Sequence, residues 1–261
     1  MARSKWRKIK KWSRRFRRIW KMHWSALLIL LAALFLLVNW MVQAFYKPSE
    51  VVGLAEAPFF KLPKATWSAY GPLFKRHATS ICTPDFLAAL AQAESSGNPI
   101  ARTHWVWRWS LNPFKIYRPA SSSTGMYQMT DGTFEAARRY CIHRRKVFRE
   151  GKWYDPNSCW YNGLYNRLVP SHAIEMTSAY LHVQTQSMDS GVRKPLSLRQ
   201  RQRIAALIHI CGAAYARSYV QSGWRLPSSP SCGGQQVEPY LRKVAYYSFL
   251  FRELRAAAEG K

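Results

Sequence analysis

The spacing of apolar residues divides the chain into one long apolar stretch and a series of amphipathic helices. No charged residue lies between Trp24 and Tyr46, and Leu, Ala, Ile, Val and Phe fill most of this stretch. At a rise of ~1.5 Å per residue, a helix over residues 24–46 can cross the ~30 Å hydrocarbon layer of a membrane. The rest of the chain has helical spacing, without clear strand alternation or an internal repeat. We therefore predict a mainly α-helical domain behind one transmembrane helix.

Cap and turn residues predict where the helices begin and end. Thr83, Pro84 and Asp85 provide an N-cap, a proline at the first helical position and an acid in the first turn. That helix is predicted to end where Ser-Ser-Gly-Asn-Pro follows Glu94. Four further helices are predicted: from Asp131 to about Val147, from Pro170 to about Met188, from a capping box at Ser197 to about Val220, and over about 237–256.

The same patterns predict the domain organisation. Prolines and glycines interrupt any periodicity over residues 47–80, which we interpret as a linker and lead-in. Residues 81–256 then form a single domain with its own core. The apolar helix covers residues 24–46, and residues 1–23 form a basic segment before it.

The charge of the chain is strongly positive and unevenly distributed. It has 40 Lys and Arg against 13 Asp and Glu, and 11 of the basic residues lie in residues 1–23, which contain no acid. A basic segment before an apolar span remains in the cytoplasm, so residues 47–261, the body of the protein, are predicted to be exported. A cleaved signal peptide ending near Val42-Gln43-Ala44 is the alternative. The basic body favours an anionic partner, and export argues against nucleic acid as that partner.

Five cysteines lie in the exported body, where disulfides are expected and one thiol must be left over. We predict the pairs Cys141–Cys159 and Cys211–Cys232, each closing a loop of about 20 residues, and a buried free thiol at Cys82. Because the sequence contains no Cys-x-x-Cys, the cysteines fit no zinc site. No metal and no cofactor are predicted.

Glu94 is the strongest candidate for a catalytic residue. It lies in the last turn of a helix composed mostly of Ala, Leu and Phe, and small turn residues follow it directly. Apolar surroundings disfavour a charged carboxylate, so we expect the pKa of Glu94 to be raised. A segment that contains a glycine and a glutamine follows downstream: Gly125-Met126-Tyr127-Gln128-Met129.

Two motifs in this order resemble a known family. Glu94-Ser95-Ser96-Gly97 is similar to the Glu-Ser motif of the soluble lytic transglycosylase-like family, which is related to goose-type lysozyme and belongs to glycoside hydrolase family 23. Residues 125–129 are similar to its second motif, Gly-Leu-Met-Gln-Ile, and Tyr180-Leu181 resembles its third conserved helix. The resemblance covers about Pro84 to Val220. Together the first two motifs are fairly specific, whereas each alone is a weak signal.

The sequence departs from the family at the fourth motif. Where the family has Ala-Tyr-Asn-Ala-Gly, this chain has His209 and Ile210 in place of Tyr-Asn. The candidates to replace the missing tyrosine are Tyr215, Tyr219 and Tyr180. The first two motifs also lie further apart than in the family, and the additional residues form a loop rich in Trp and Arg over 104–118.

The resemblance implies a lysozyme-like helical domain that cleaves the MurNAc–GlcNAc β-1,4 bond of peptidoglycan and forms 1,6-anhydro-MurNAc. Glu94 would act first as general acid and then as general base, without a cofactor. The protein would be anchored in a bacterial inner membrane with its catalytic domain in the periplasm. The alternatives are a lysozyme-like muramidase, which consumes water, and a non-catalytic peptidoglycan-binding scaffold, for which the altered fourth motif argues.

The remaining candidate residues have a structural alternative to each functional role. Ser95 orients Glu94 or caps its helix, and Gly125 allows close approach of the sugar or forms a turn. Met126 and Tyr127 line a groove or pack in the core, and Gln128 binds an N-acetyl group or begins a helix. His209 and Tyr215 complete the predicted substrate-binding set. Three tryptophans of the 104–118 loop could stack on sugars, enter the membrane surface or cover the core: Trp105, Trp107 and Trp109.

Overall fold

The protein is mainly helical and divides into two compact units. The computed structural model describes residues 2–46, 61–103, 105–110, 112–155, 158–189, 195–226 and 230–260. Eight α-helices and three two-stranded antiparallel sheets lie within these residues. The first unit comprises Met1–Val51 and His104–Ala120, and the second comprises Val52–Thr103 and Ser121–Lys261.

The first unit is built on one long helix. Helix α1 (Ala2–Tyr46) contains the apolar stretch His23–Phe45, which has a mean hydropathy of 2.5 and is long and apolar enough to cross a membrane or to serve as a signal sequence. The predicted apolar helix is therefore confirmed, and the basic segment continues it without a break. Strands β1 (Trp105–Trp107) and β2 (Tyr117–Pro119) pair as a hairpin with a 3₁₀ turn between them.

The second unit contains the other seven helices and two small hairpins. Its α-helices are α2 (Pro63–Arg76), α3 (Pro84–Ser95), α4 (Asp131–Ala137), α5 (Pro170–Asp189), α6 (Leu198–Cys211), α7 (Ala213–Gln221) and α8 (Val237–Glu259). Its strands are β3 (Tyr140–His143), β4 (Lys146–Arg149), β5 (Ser231–Cys232) and β6 (Gln235–Gln236), and a 3₁₀ helix spans Trp160–Leu164.

Helix α3 lies at the centre of the second unit. Its residues from Phe86 to Ala91 are almost completely buried, and they share one core with residues of α2, α5, α6 and α8. The predicted bounds of this helix are confirmed. It ends because Ser96 and Gly97 take left-handed conformations, with φ of 53° and 70°, and the Gly97 amide closes the end on the Ala91 carbonyl at 3.2 Å. Glu94 is thereby held at a rigid helix end.

Helix α5 and hairpin β3–β4 are joined through a buried carboxylate. Glu175 is only 4% exposed, and it accepts hydrogen bonds from the Ile142 amide and the Tyr165 hydroxyl, both at 2.8 Å. His77 lies 3.6 Å from the same carboxylate and contacts the Ser171 hydroxyl at 3.0 Å. Buried polar groups need such partners, so this cluster fixes the hairpin and α2 on α5.

The helix predicted over 131–147 is wrong in its second half. Helix α4 ends at Ala137, and hairpin β3–β4 follows. The hairpin turns through Arg144 and Arg145, which both have positive φ values, of 51° and 64°. Two such residues produce the twist that a two-residue hairpin requires, although glycine and asparagine are the usual residues there. The absence of a glycine is why the turn was not predicted.

Two further predictions about secondary structure need correction. The lead-in over 47–80 is helical in its described part, because α2 places the Trp67 and Phe74 side chains in the core and contains Pro72; residues 47–60 lie outside the described part. The helix predicted from Ser197 to Val220 is two helices, α6 and α7, because Gly212 breaks it with φ of 84°. The helix after Pro170, the final helix and the Ser197 capping box are confirmed.

Both predicted disulfides are present. Cys141 pairs with Cys159 and Cys211 with Cys232, while Cys82 is a buried free cysteine. The first bridge joins β3 to the loop before the 3₁₀ helix, and the second joins the end of α6 to β5. Each therefore closes a local loop rather than connecting distant parts of the chain.

Replacing Cys211 and Cys232 together by Ala is expected to lower the free energy of unfolding by about 3 kcal/mol, because the unfolded chain regains the entropy of an open 21-residue loop. In a domain of this size the midpoint of thermal unfolding should fall by roughly 6–12 °C. Circular dichroism melts of the full chain in detergent measure this fall. An unchanged melting midpoint would contradict the stabilising role of this bridge.

Candidate functional site

Glu94 lies in a nearly closed environment formed by three helices. Its side chain is 7% exposed at the end of α3. The Tyr240 hydroxyl from α8 donates a hydrogen bond of 2.6 Å to Glu94 Oε1. His209 Nε2 from α6 lies 3.4 Å from the same oxygen, and the His209 side chain is 9% exposed. A carboxylate, an imidazole and a phenol from three different helices thus meet at one point.

The pKa of Glu94 is shifted in the direction opposite to the one predicted from the sequence. Burial raises the pKa of Glu94, but hydrogen bonding and charge interaction with His209, the hydrogen bond from Tyr240 and the charge of Lys243 outweigh it, so the pKa lies below its ordinary value. The expectation of a raised pKa is therefore wrong for the free protein. It considered only the apolar face of α3, whereas the groups that stabilise the carboxylate come from α6 and α8.

The segment around Gly125 is joined to the end of α3. The Ser95 hydroxyl, which is buried, donates to the Met126 carbonyl at 2.8 Å and also lies 3.3 Å from the Ala91 carbonyl. The Tyr127 ring contacts the His209 ring edge-on, with centroids 6.3 Å apart. The two predicted motifs are therefore neighbours in space, and His209 contacts residues of both.

Three residues of the second motif have structural roles. Met126 and Tyr127 are 0% and 1% exposed, and the Tyr127 hydroxyl donates to the Leu87 carbonyl at 3.1 Å, so they pack in the core and do not form an open groove wall. Gly125 has φ of 82°, and a Cβ there would overlap the Arg167 carbonyl oxygen. The close approach that requires glycine is therefore made by the backbone at Arg167.

Gln128 remains the half-buried polar residue of this segment. Its side-chain Nε2 donates to the Gly125 carbonyl at 3.0 Å, and its φ is 45°. The amide therefore closes a tight turn rather than beginning a helix. The amide oxygen and the second Nε2 hydrogen are still available for contact with an N-acetyl group.

Within the part of the chain that the structure describes, none of the three tyrosines named as replacements is hydrogen-bonded to Glu94. Tyr219 accepts a hydrogen bond from Arg203 Nε at 3.0 Å, and Tyr180 packs against the core with its pKa raised by burial. The Tyr215 hydroxyl is buried without a hydrogen-bond partner among the described residues. These three residues are therefore not the phenol beside the carboxylate.

Tyr240 is the residue that the sequence analysis missed. It lies four residues before Val244, on the face of α8 that enters the core, and it is 4% exposed. That spacing marks it as buried, but the sequence contains no sign that its hydroxyl reaches Glu94, 146 positions away. Lys243, three residues later, donates to the Ala93 carbonyl at 2.8 Å and so binds α8 to the end of α3.

Metal ligation is not indicated in the part of the chain that the structure describes. No group of three or more His, Cys, Asp and Glu side chains there is arranged to hold a metal ion.

The Trp-rich loop belongs to the first unit, where Trp105 and Trp107 pack against the Tyr117 ring at centroid distances of 5.1 and 4.8 Å.

Comparison with known proteins does not assign a family to this chain. A scan against protein-family models finds no match for the sequence, and a search of curated proteins finds none either.

Proposed function

We propose that the protein is a membrane-anchored peptidoglycan lytic transglycosylase with a lysozyme-like catalytic domain, in which Glu94 is the single general acid and base. The main support for the proposal is that the Glu94 carboxyl group is almost excluded from water and is contacted by Tyr240 and His209. Support also comes from the junction of the two motifs, since Ser95 holds the Gly125–Gln128 segment against the end of α3.

The reaction needs one carboxyl group and no water. Protonated Glu94 gives its proton to the glycosidic oxygen, the bond from that oxygen to C1 of the muramoyl sugar breaks, and the leaving sugar keeps the proton as a hydroxyl. The C6 hydroxyl of the muramoyl residue then attacks C1, and its proton passes to the Glu94 carboxylate. The products are a 1,6-anhydro sugar and a shortened glycan, and Glu94 is again protonated.

The lowered pKa of free Glu94 places a requirement on substrate binding. Glu94 must gain a proton before the first step, although its contacts stabilise the ionised form. A bound sugar that displaces the remaining water disfavours the ionised carboxylate and so raises its pKa. We assign Tyr240 and His209 the role of holding Glu94 Oε1 in position.

The proposed location follows from the first unit. A basic segment precedes the apolar stretch of α1, and positively charged flanks remain in the cytoplasm. The catalytic domain would then lie in the periplasm, where its disulfides can form and where peptidoglycan is available. The excess of basic residues in the body suits a wall polymer whose peptide stems carry carboxylates.

The products of the reaction test the proposal and separate it from its alternatives. Purified sacculi digested with the full chain in detergent should release 1,6-anhydro muropeptides, which mass spectrometry identifies by the absence of one water. Products with reducing ends would indicate a muramidase instead. Binding to sacculi without release of muropeptides would indicate a scaffold and contradict the enzymatic proposal.

Replacing Tyr240 by Phe is expected to shift the pH profile of cleavage to higher pH by about one unit. The Tyr240 hydrogen bond stabilises ionised Glu94 and lowers its pKa, so removal of this bond raises the pKa and keeps Glu94 protonated at higher pH. The maximal rate should fall roughly tenfold because Oε1 is no longer held in place. Muropeptide release measured from pH 4 to 9 tests both effects.

Tyr246→Phe is the matched control, because Tyr246 lies on the same helix and is 63% exposed. Its profile should follow that of the natural protein. A Tyr240→Phe profile shifted to lower pH would contradict the assigned direction.

A further inference from the structure

The hairpin of the first unit presents an aromatic and basic surface that the proposed reaction does not use. Trp107, Trp109 and Phe114 are 63%, 104% and 43% exposed. Residues 105–119 contain no acid. They contain three cations: Arg108, Lys115 and Arg118. Large aromatic side chains exposed together mark an interaction surface rather than ordinary solvent-facing structure.

The same hairpin is packed along one face of α1. Asn39 Nδ2 donates to the Tyr117 carbonyl at 2.8 Å, and Gln43 Nε2 donates to the Phe114 carbonyl at 2.7 Å. The Phe35 ring lies 6.5 Å from the Phe114 ring, centroid to centroid. Phe35, Asn39 and Gln43 are four residues apart, so they share a face that extends about 12 Å along the helix.

These contacts are suited to a position beside lipid. Asn39 belongs to the apolar stretch and is 1% exposed, and an amide facing hydrocarbon without a partner would be costly. The Tyr117 carbonyl provides a partner for Asn39 Nδ2, whereas Asn39 Oδ1 has none among the described residues. Backbone groups beside lipid need partners as well, and the paired strands, together with the bond of 2.7 Å from the Arg108 amide to the Ile116 carbonyl, supply them.

We propose that this hairpin is a second membrane contact, lying in the headgroup region of the leaflet at the exported end of α1. Tryptophan prefers this boundary, which suits Trp107 and Trp109, and the three cations can reach lipid phosphates. The proposal rests on the proposed membrane span. Sugar rings could also stack on exposed tryptophans, but the direct packing on the apolar helix and the absence of acids favour lipid.

Fluorescence quenching in vesicles tests this placement. The full chain is reconstituted into phosphatidylethanolamine–phosphatidylglycerol vesicles whose acyl chains are brominated near the headgroup, because bromine quenches nearby tryptophan. The emission lost in the double variant Trp107→Phe, Trp109→Phe reports these two rings. We expect brominated lipid to reduce that emission at least about twofold. Trp109 is fully exposed, so its replacement should not disturb packing.

Trp153→Phe is the control, because Trp153 is 76% exposed and lies outside the hairpin. The emission that it removes should be quenched by iodide in the aqueous phase. Iodide quenching of Trp107 and Trp109, without quenching by brominated lipid, would overturn the proposal. So would a change in their emission on adding soluble glycan fragments, which would make the hairpin a sugar-binding surface.

Vesicle flotation separates this proposal from the proposals on which it rests. A chain that does not float with vesicles has no membrane span, and the hairpin placement fails with it. A chain that floats but has unquenched Trp107 and Trp109 keeps its span and loses only the hairpin placement. Cleavage of sacculi by the Trp107→Phe, Trp109→Phe variant should equal that of the natural protein, because the reaction uses neither ring.

Discussion

Replacing Glu94 by Gln is expected to reduce muropeptide release from purified sacculi by about 1,000-fold or more. The amide cannot give a proton to the glycosidic oxygen or take one from the C6 hydroxyl, and each transfer contributes substantially to the rate. The fold should persist, because the Gln oxygen can still accept the Tyr240 hydrogen bond that Glu94 Oε1 accepts. The measurement is the rate of anhydro-muropeptide release, followed by liquid chromatography and mass spectrometry.

Glu135→Gln provides the matched control for this substitution. Glu135 lies on α4, its side chain is 56% exposed, and it forms an ion pair with Arg138, so the change removes one surface charge and no proposed catalytic group. Its activity should stay within about twofold of the natural protein. Equal activity of the Glu94 variant and the Glu135 variant would exclude Glu94 as the general acid and leave the proposed mechanism without support.

Replacing Gly125 by Ala is expected to lower the free energy of unfolding of the second unit by about 2–5 kcal/mol. Gly125 has φ of 82°, which costs any other residue free energy, and a Cβ there overlaps the Arg167 carbonyl oxygen. The backbone must therefore move, and it carries the Met126 carbonyl that binds Ser95 next to Glu94. A drop of roughly 5–15 °C in the thermal midpoint and loss of sacculus cleavage at 37 °C should accompany each other.

Gly132→Ala is the control that tests whether the loss of stability is specific to position 125. Gly132 lies in the first turn of α4, and a Cβ there would meet no atom within 4 Å. This change should leave stability unchanged or raise it by a few tenths of a kcal/mol, since Ala favours helix. A Gly125→Ala protein as stable as the Gly132→Ala protein would contradict the close contact with Arg167.

The helix bounds that could be predicted are those with a chemical signal at their ends. Pro84 at the start of α3, Gly97 after its end and the capping box at Ser197 act within a few residues of the chain, and each gave the observed bound. The hairpin turn at Arg144 and Arg145 has no such signal, because neither residue is usual at positive φ. Tertiary contacts of the flanking strands, including the bond from Ile142 to Glu175, determine that turn.

The candidate site was predictable only in part. Glu94, Ser95 and the Gly125 segment lie in motifs that follow one another in the sequence, and the fold joins them through the bond from Ser95 to the Met126 carbonyl. Tyr240 could not be predicted, because whether a buried tyrosine reaches a carboxylate depends on the packing of α8 against α3. The predicted direction of the shift in the pKa of Glu94 was wrong because the groups that lower it also come from distant helices.

Four features could be predicted from the sequence: the mainly helical class, the apolar helix, the two local disulfides and the position of Glu94 at a helix end. Each depends on neighbouring residues or on closure of a short loop, so the residues responsible lie close together in the chain. Tertiary structure alone decided which groups surround Glu94, which close contact Gly125 permits, and that the Trp-rich loop packs on the apolar helix. Those outcomes depend on side chains brought together from distant positions, where packing and hydrogen bonding outweigh local preference.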